Sequence, residues 1–357
     1  MIKKNSQRFH TYGFKVGLFP PGRRRSISDV PGVTVGHTTK IIGSDVRTGV
    51  TIIDPGINNL FRKKVPVAIF VGNGYGKIVG ISQIEELGTL ETPIALTSSR
   101  SVGPVMRAVA DFVAKETRDL GPMDSINAVV GDINDGRLNN IHKNSISAKD
   151  VLKAYTSRSI DFTLGNVGGG TGARAFSWKG GIGTASRIVK MKSKIYTIGV
   201  LVQTNYGGSL TILGVPVGEI LGKNDFSTFL PHTPDGSCMI VVATDAPLTS
   251  RQLKRIAERA FLGIVRTGSI ATHASGDYSI AFSTNRNGLE GSGNIGQCLK
   301  DEELNPFFLA TIEATEESIY DALFSAKTMK GRGGTVLEEI PKKRVVELLK
   351  KYAYIKK

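Results

Sequence analysis

Residues 234–243 read PDGSCMIVVA, a turn-forming quartet followed by an unbroken apolar run. Proline, aspartate and glycine each favour a chain reversal, and the run after them has the length and branching of a buried strand. The pattern places Ser237 at the mouth of that strand. Gly236 before it has no side chain to block attack on its carbonyl, and glycine adopts backbone angles that other residues resist. A tight turn that happens to contain a serine is the plainer interpretation of these four residues.

The position of Ser237 also suits a peptide bond that cleaves itself. If its hydroxyl attacked the Gly236 carbonyl and water hydrolysed the resulting ester, Ser237 would become a new amino terminus. A free α-amine has a pKa of about 7.7 to 8.0, whereas the amide from which it forms is not basic. One residue would then supply both the nucleophile and the base.

The composition predicts a globular cytoplasmic protein. The chain has 357 residues, and 40% of them are hydrophobic, which is enough for a sizeable core. It contains no apolar run long enough for a membrane span, and its first residues lack the pattern of a signal peptide. Its two cysteines, Cys238 and Cys298, fit no zinc spacing and agree with a reducing compartment. We therefore expect no membrane association.

The net charge of +15 is concentrated at the two ends of the chain. Residues 1–26 contain seven basic and no acidic residues, and residues 341–357 contain seven basic residues and one acid. The body between them is close to neutral, so a basic groove for nucleic acid is not expected. We predict a basic N-terminal arm, residues 1–26, with solvated charges, followed by a single domain, residues 27–357. Binding of polyanions by the tails is the lesser alternative.

The alternation of apolar runs and amphipathic segments predicts an α/β or α+β fold. Nearly continuous apolar runs indicate strands that are covered on both faces. Segments with helical spacing lie between them, and the clearest begins at a cap, Thr249 or Ser250, and ends before Gly268. The predicted strands contain residues 67–71, 126–130, 195–202, 239–243 and 280–282, and the predicted helices contain 103–116, 249–266 and 315–327.

Several common site motifs are absent or incomplete. The glycine-rich segment 165–172, GNVGGGTG, lacks the Lys-Ser/Thr of a phosphate loop and matches a dinucleotide fingerprint only formally, so we interpret it as a structural or substrate-lining loop. The zinc-binding motif His-Glu-x-x-His does not occur. Two common motifs of serine nucleophiles, Gly-x-Ser-x-Gly and Ser-x-x-Lys, are also missing. His232 and His273 are possible partners for Ser237, although a lone loop histidine is more often structural.

Three polar residues at strand ends are candidate partners for Ser237. Ser275 and Asp277 precede an apolar run at a spacing of two, so both side chains should project to one side. Asn205 lies in the segment 203–207 that ends the apolar run 198–202, so its amide is at a strand terminus and could donate to a developing oxyanion. A capped strand entrance and an asparagine turn are the structural alternatives.

Taken together, these segments resemble the L-aminopeptidase/D-esterase and β-peptidyl aminopeptidase family of self-cleaving serine hydrolases. The ordered matches run from Asp29 to Tyr320. They comprise DVPGVTVGH (29–37), NGYGK (73–77), QIEELGTLETP (83–93), GNVGGGTG (165–172), GVLVQTNYG (199–207), DGS (235–237), VVATDAPL (241–248), SGD (275–277) and ATEESIY (314–320).

The resemblance implies an αββα four-layer sandwich that cleaves itself between Gly236 and Ser237. The two products, 1–236 and 237–357, would stay associated as a heterodimer and form homo-oligomers. Ser237 would be the nucleophile, Ser275 and Asp277 would orient its freed amine, and Asn205 would help to hold the oxyanion. The substrates implied are short peptides, amides or esters that lose an N-terminal residue, with no metal or cofactor.

Two residues depart from the family pattern. Arg137 follows Asp135-Gly136 where we expect a tyrosine near the nucleophile, and a guanidinium, unlike a phenol, cannot be deprotonated. Asp132 stands where we expect a glutamate, and it is our candidate for pairing with the substrate ammonium. Two alternatives remain, an acyltransferase similar to ornithine acetyltransferase, which uses threonine, and a catalytically silent binding protein.

Overall fold

The apolar runs form the strands of two mixed sheets in the computed structural model, which describes residues 7–191, 194–225, 236–289 and 296–352. From edge to edge, the first sheet contains β1 (Thr34–Ile42), β2 (Val46–Asp54), β6 (Ile94–Ser98), β7 (Val129–Ile133) and β4 (Ile78–Val79). The second contains β10 (Ile182–Met191), β11 (Lys194–Asn205), β12 (Gly236–Thr244), β13 (Ser275–Ser283), β3 (Val65–Gly74) and β5 (Thr89–Leu90). Two short hairpins pair β8 (Arg174–Ala175) with β9 (Trp178–Lys179) and β14 (Met329–Lys330) with β15 (Val336–Leu337).

Helices cover the outer faces of the two sheets. In chain order, the helices of the described residues are α1 (Ile81–Leu87), α2 (Val102–Glu116), α3 (Ala148–Thr156), α4 (Val217–Ile220), α5 (Ser250–Arg266), α6 (Asn305–Ser325) and α7 (Lys342–Tyr352). The apolar faces of α2 and α3 pack on the first sheet, and those of α5 and α6 pack on the second. A further core fills the space between the sheets, where Val129 and Ile133 of β7 pack in one cluster with Met239 and Val241 of β12. The predicted αββα sandwich is therefore confirmed.

Strand β12, which begins with Gly236 and Ser237, lies inside the second sheet. It pairs antiparallel with β11 and parallel with β13, and all nine of its residues are buried. Apolar side chains therefore suit both of its faces, which explains why its sequence is continuous rather than alternating. The turn predicted at Pro234 and Asp235 lies outside the described residues.

The helix predictions differ in accuracy. Helix α5 begins after a Thr249 cap and ends before Gly268, as its amphipathic stripe predicts. Helix α6 begins ten residues earlier than the predicted 315 and carries a proline in its first turn. The missed segment 305–314, NPFFLATIEA, is predominantly apolar, so it has few polar residues to show the helical period. No helix in the described ranges is long and apolar enough to cross a membrane.

The N-terminal segment packs on α6, in contrast to the predicted arm with solvated charges. Arg8 is 4% exposed, its guanidinium lies 2.6 Å from the Asp321 carboxylate, and Phe9 beside it is fully buried. Arg8 also donates to the backbone carbonyls of Arg24, Arg25 and Thr184. The prediction of solvated charges is therefore wrong for Arg8, because a buried acid on a distant helix neutralises it. Residues 1–6 lie outside the described residues.

Candidate active site

Ser237 lines a cleft of about 470 Å³ between the ends of the two sheets. Its side chain is on the face of β12 that packs toward the first sheet, because side chains alternate along a strand and Met239 and Val241 belong to the inter-sheet core. We call this cavity the serine cleft. Its lining includes Tyr75, Lys77, Ser99, Asp132, Asn134 and Ser237.

Asn205 stands directly opposite Ser237 in the antiparallel pairing of β11 with β12, so both side chains lie on the same face of the sheet. The side-chain oxygen of Asn205, Oδ1, accepts from the backbone N–H of Arg174 at 3.0 Å. Its Nδ2 donates to the backbone carbonyl of Asn134 at 2.9 Å. These partners fix which end of the amide carries the N–H groups. The Asn134 N–H, in turn, donates to the Ser237 hydroxyl at 3.3 Å. The Ser237 hydroxyl therefore accepts from the Asn134 N–H, and the Asn205 amide lies beside it on the same face of the sheet.

Ser275 and Asp277 lie on the opposite face of the sheet, beside the backbone of Ser237. In the parallel pairing they stand across from Gly236 and Cys238, and Gly276 stands across from Ser237. They are therefore placed to approach the Ser237 nitrogen, not its hydroxyl. Gly236 already belongs to an extended strand, so backbone angles alone do not require a glycine. The requirement is steric, because a Cβ at position 236 would lie 2.7 Å from Oγ of Ser275.

The side-chain oxygen atoms of Ser275 and Asp277 are buried without hydrogen-bond partners among the described residues. Burial raises the pKa of Asp277 to about 6. The nearby Ser275 hydroxyl and the Cys238 N–H lower the pKa of Asp277 and offset part of the effect of burial. Neither group makes a hydrogen bond of good geometry to the carboxylate. Native proteins rarely leave buried polar atoms unsatisfied, so this pair has unused capacity to bind a polar group.

Asp132 is 2% exposed and lines the serine cleft at the end of β7. One carboxylate oxygen accepts from the Lys77 N–H at 2.6 Å, and the other accepts from the Ser99 hydroxyl. The Lys77 ammonium is 3.9 Å away and its side chain is 59% exposed, so a competing cation can displace it at little cost.

Arg137 does not line the serine cleft. It lines a neighbouring cavity of about 230 Å³ that we call the arginine pocket. The two cavities share Asn134 and Ile141, so they meet beside Ser237. The remaining lining residues of the arginine pocket are Gly136, Arg174, Asn205 and Arg332.

Two residues of this region were not predicted as functional. Asn134 contributes its backbone N–H, which no side-chain pattern in the sequence can indicate. The available signal was its place just past an apolar run, which is typical of a strand end. Arg174 follows the glycine-rich loop, and its nearness to Asn205 depends on contacts between distant segments. Of the two histidines considered, His273 is exposed and absent from the cleft lining, and His232 lies outside the described residues.

The glycine-rich loop is structural in this fold. Gly168, Gly169 and Gly170 are buried against the first sheet. The Lys179 ammonium donates to the backbone carbonyls of Gly170 and Ala173, at 3.2 and 2.7 Å, and these hydrogen bonds stabilise the conformation of the loop. No phosphate cradle is therefore exposed here. Within the described ranges, no three His, Cys, Asp or Glu side chains come together as a metal ion requires.

Comparison with known proteins identifies the family. Residues 25–337 match peptidase family S58. The chain is 37% identical to the beta-peptidyl aminopeptidase BapA of Sphingosinicella microcystinivorans, over 93% of this chain and 89% of that protein. The solved PH0078 protein from Pyrococcus horikoshii OT3 superposes with a TM-score of 0.90 at 42% identity, covering 97% of this chain and 99% of the other.

A further solved structure connects the fold with a chemistry. The L-aminopeptidase D-Ala-esterase/amidase from Ochrobactrum anthropi superposes with a TM-score of 0.88 at 32% identity, covering 97% of this chain and 98% of that one. It is described as a prototype for the serine aminopeptidases and as a variant of the Ntn hydrolase fold. Because the family match covers most of the chain and the relatives nearly all of it, this protein belongs to peptidase family S58 and is an aminopeptidase.

Proposed function

We propose that this protein is a self-processing serine aminopeptidase in which Ser237 becomes an N-terminal nucleophile by cleavage of the Gly236–Ser237 bond. The observation that carries the proposal is the position of Ser237 at the start of β12. Its hydroxyl faces the serine cleft, and on the other face its backbone is flanked by Ser275 and Asp277, whose side chains have no hydrogen-bond partner among the described residues.

The cleavage step needs only the chain and one water molecule. Oγ of Ser237 attacks the carbonyl carbon of Gly236, and the carbon–nitrogen bond breaks as the Ser237 nitrogen takes up a proton. The acyl group is then an ester on Oγ. Water hydrolyses this ester, which leaves a carboxylate on Gly236 and a free α-amine on Ser237. The chain becomes two associated products, 1–236 and 237–357.

The freed amine would act as the base in each turnover. It takes the hydroxyl proton while Oγ attacks the substrate carbonyl, and it returns that proton to the departing amine. Ser275 and Asp277 would hold and polarise it, because their side-chain oxygen atoms, which have no partner in the part of the chain that the structure describes, lie beside the backbone from which it forms. An ionised Asp277 also stabilises the protonated amine by charge.

Two N–H groups are available for the oxyanion. Nδ2 of Asn205 has a second hydrogen beyond the one that it donates to Asn134, and the Asn134 N–H already reaches Oγ of Ser237. Fixed donors of this kind stabilise a tetrahedral intermediate without reorganising. In the serine cleft, Asp132 would pair with the ammonium of the N-terminal residue that is removed, and Arg137 would contact the part that leaves.

An intact-mass spectrum under denaturing conditions tests the proposal. Scaling 38.3 kDa by chain length, self-cleavage predicts species of about 25 and about 13 kDa, with Ser237 at the amino terminus of the smaller one. Ser237→Ala should give one 38.3 kDa species that does not hydrolyse aminoacyl amides. Ser279→Ala is the matched control, because Ser279 is a buried serine of the neighbouring strand β13 that lines neither cavity, and its loss should change neither result. An uncleaved but active wild-type protein would refute the proposal.

The alternatives are separated by activity. Family membership supports the aminopeptidase over the acyltransferase, and transfer from acetyl-ornithine would reverse that order. A silent binding protein would neither cleave itself nor hydrolyse any aminoacyl amide. The cytoplasmic location and the homo-oligomer stay predictions, which cell fractionation and light scattering of the purified protein test.

A further inference from the structure

The arginine pocket has an excess of positive charge that the proposed chemistry does not use. Arg137 and Arg332 are exposed, and neither forms an ion pair with an acid in the part of the chain that the structure describes. Arg174 is paired with Asp225, which also accepts from the Ser177 hydroxyl. Among the described residues, three arginines therefore line the pocket, and one of them is paired with a carboxylate.

Arg174 provides a second and independent indication of a ligand. The residue is 8% exposed, and its Nη1 is buried without a hydrogen-bond partner among the described residues. A buried donor of this kind lowers stability unless an acceptor binds it. A guanidinium matches the two oxygens of a carboxylate, to which it can donate two parallel hydrogen bonds.

The position of the pocket defines which part of a substrate reaches it. The serine cleft and the arginine pocket meet at Asn134 and Ile141, beside Ser237. A substrate with its ammonium at Asp132 and its scissile carbonyl at Ser237 would extend its leaving portion toward Arg137 and Arg174. At about 230 Å³ the pocket has roughly the volume of seven or eight liquid waters, which is room for one small amino acid.

We propose that the arginine pocket binds the carboxylate of the residue that leaves, so that this enzyme prefers dipeptides with a free C-terminus over neutral amides. The proposal rests on the proposed function, because it takes the bond broken to be the one held at Ser237. It makes Arg137 and Arg332 determinants of specificity. Both are positioned to contact the leaving group and take no part in proton transfer.

The test compares three substrates that share the N-terminal residue preferred by the enzyme. The first ends in alanine with a free carboxylate, the second in alaninamide, and the third in aspartic acid with an amidated C-terminus. We expect kcat/KM for the free acid to exceed that for alaninamide about tenfold or more. The third substrate has a side-chain carboxylate but no free α-carboxylate. Efficient cleavage of it would mean that the pocket binds a carboxylate in either position.

Three variants locate the effect. Arg137→Gln and Arg332→Gln should each reduce the ratio of free-acid to amide kcat/KM about tenfold, and added salt should reduce the wild-type ratio. Arg107→Gln is the charge-matched control, because Arg107 is a 79% exposed residue of α2 that lines neither cavity, and its ratio should equal that of the wild type.

The possible failures are distinguishable. Equal cleavage of the acid and the amide by the wild type, or an unchanged ratio in Arg137→Gln and Arg332→Gln, overturns the arginine-pocket proposal and leaves the aminopeptidase intact. If no substrate is cleaved, the proposed function fails, and the acid and the amide are then titrated into the wild-type protein by calorimetry. Tighter binding of the acid, lost in Arg137→Gln, would still support the pocket, and equal binding would overturn it.

Discussion

Asn205 and Ser237 stand opposite each other in the second sheet, and the backbone of Asn134, just past β7 of the first sheet, contacts both side chains. The site therefore exists only when the two sheets pack together. Self-cleavage should then follow folding, because the unfolded chain does not hold these N–H donors beside Ser237. In the proposed chemistry, the same donors serve cleavage first and turnover afterwards.

Asn205→Ala should slow both self-cleavage and turnover. Loss of one oxyanion donor typically lowers kcat about 10² to 10³-fold, with little change in KM. Asn166→Ala is the matched control, because Asn166 bridges the backbone N–H and carbonyl of Lys327 in the same manner but lies outside both cavities. The rate of cleavage after refolding, followed by mass spectrometry, and the steady-state kinetics measure the effect. Equal rates in the two variants would remove Asn205 from the mechanism.

Gly236→Ala should impede self-cleavage for a steric reason. The added Cβ would lie 2.7 Å from Oγ and 3.1 Å from Cβ of Ser275, so the scissile carbonyl must shift, and we expect the cleavage rate to fall at least about tenfold. A double-mutant cycle identifies the cause. In a Ser275→Gly background, where the clash is absent, Gly236→Ala should slow cleavage by a much smaller factor. The same factor in both backgrounds would mean that the backbone, and not Ser275, requires the glycine.

The local patterns predicted much of the fold, and the long-range contacts explain what they missed. Helix α5 and strand β12 were predicted because each carries its own signal, a capped amphipathic stripe or a continuous apolar run. The early start of α6 was missed because residues 305–314 are predominantly apolar and show no amphipathic stripe. The site residues Ser237, Ser275 and Asn205 were named from strand ends and the family resemblance. The arginine pocket was not predicted, because it joins residues that are distant in sequence, such as Arg137 and Arg332, which are 332 − 137 = 195 positions apart.

The buried Arg8–Asp321 ion pair should contribute strongly to stability, although composition alone placed Arg8 in a solvated arm. Arg8→Ala leaves a buried carboxylate without its cation, and we expect the free energy of unfolding to fall by about 3 to 5 kcal/mol. Arg8→Ala/Asp321→Ala should recover part of that loss. Arg23→Ala, at an exposed arginine of the same segment, should change little. Urea unfolding of the three variants is measured in the Ser237→Ala background, so that each is a single uncleaved chain. An Arg8→Ala variant with an unchanged free energy of unfolding would show that the ion pair does not stabilise the fold.

Asp277 should lower the stability of the folded protein at neutral pH. Its pKa rises from an ordinary 3.8 to about 6 through burial, so between these values the folded state binds a proton that the unfolded state has released. Stability therefore falls as the pH rises from about 4 to about 6, and the loss is complete above that.

Asp277→Asn removes this charge and should reverse the loss. In the Ser237→Ala background we expect the variant to be more stable by about 1 kcal/mol at pH 4.5 and by about 3 kcal/mol at pH 7.5, as measured by urea unfolding. In the chain that retains Ser237, the same substitution should slow turnover, since an amide cannot stabilise the protonated amine by charge. A buried carboxylate that costs stability and supports turnover is what a catalytic role predicts. A stability difference that does not change with pH would show that the Asp277 carboxylate is not desolvated in the folded chain.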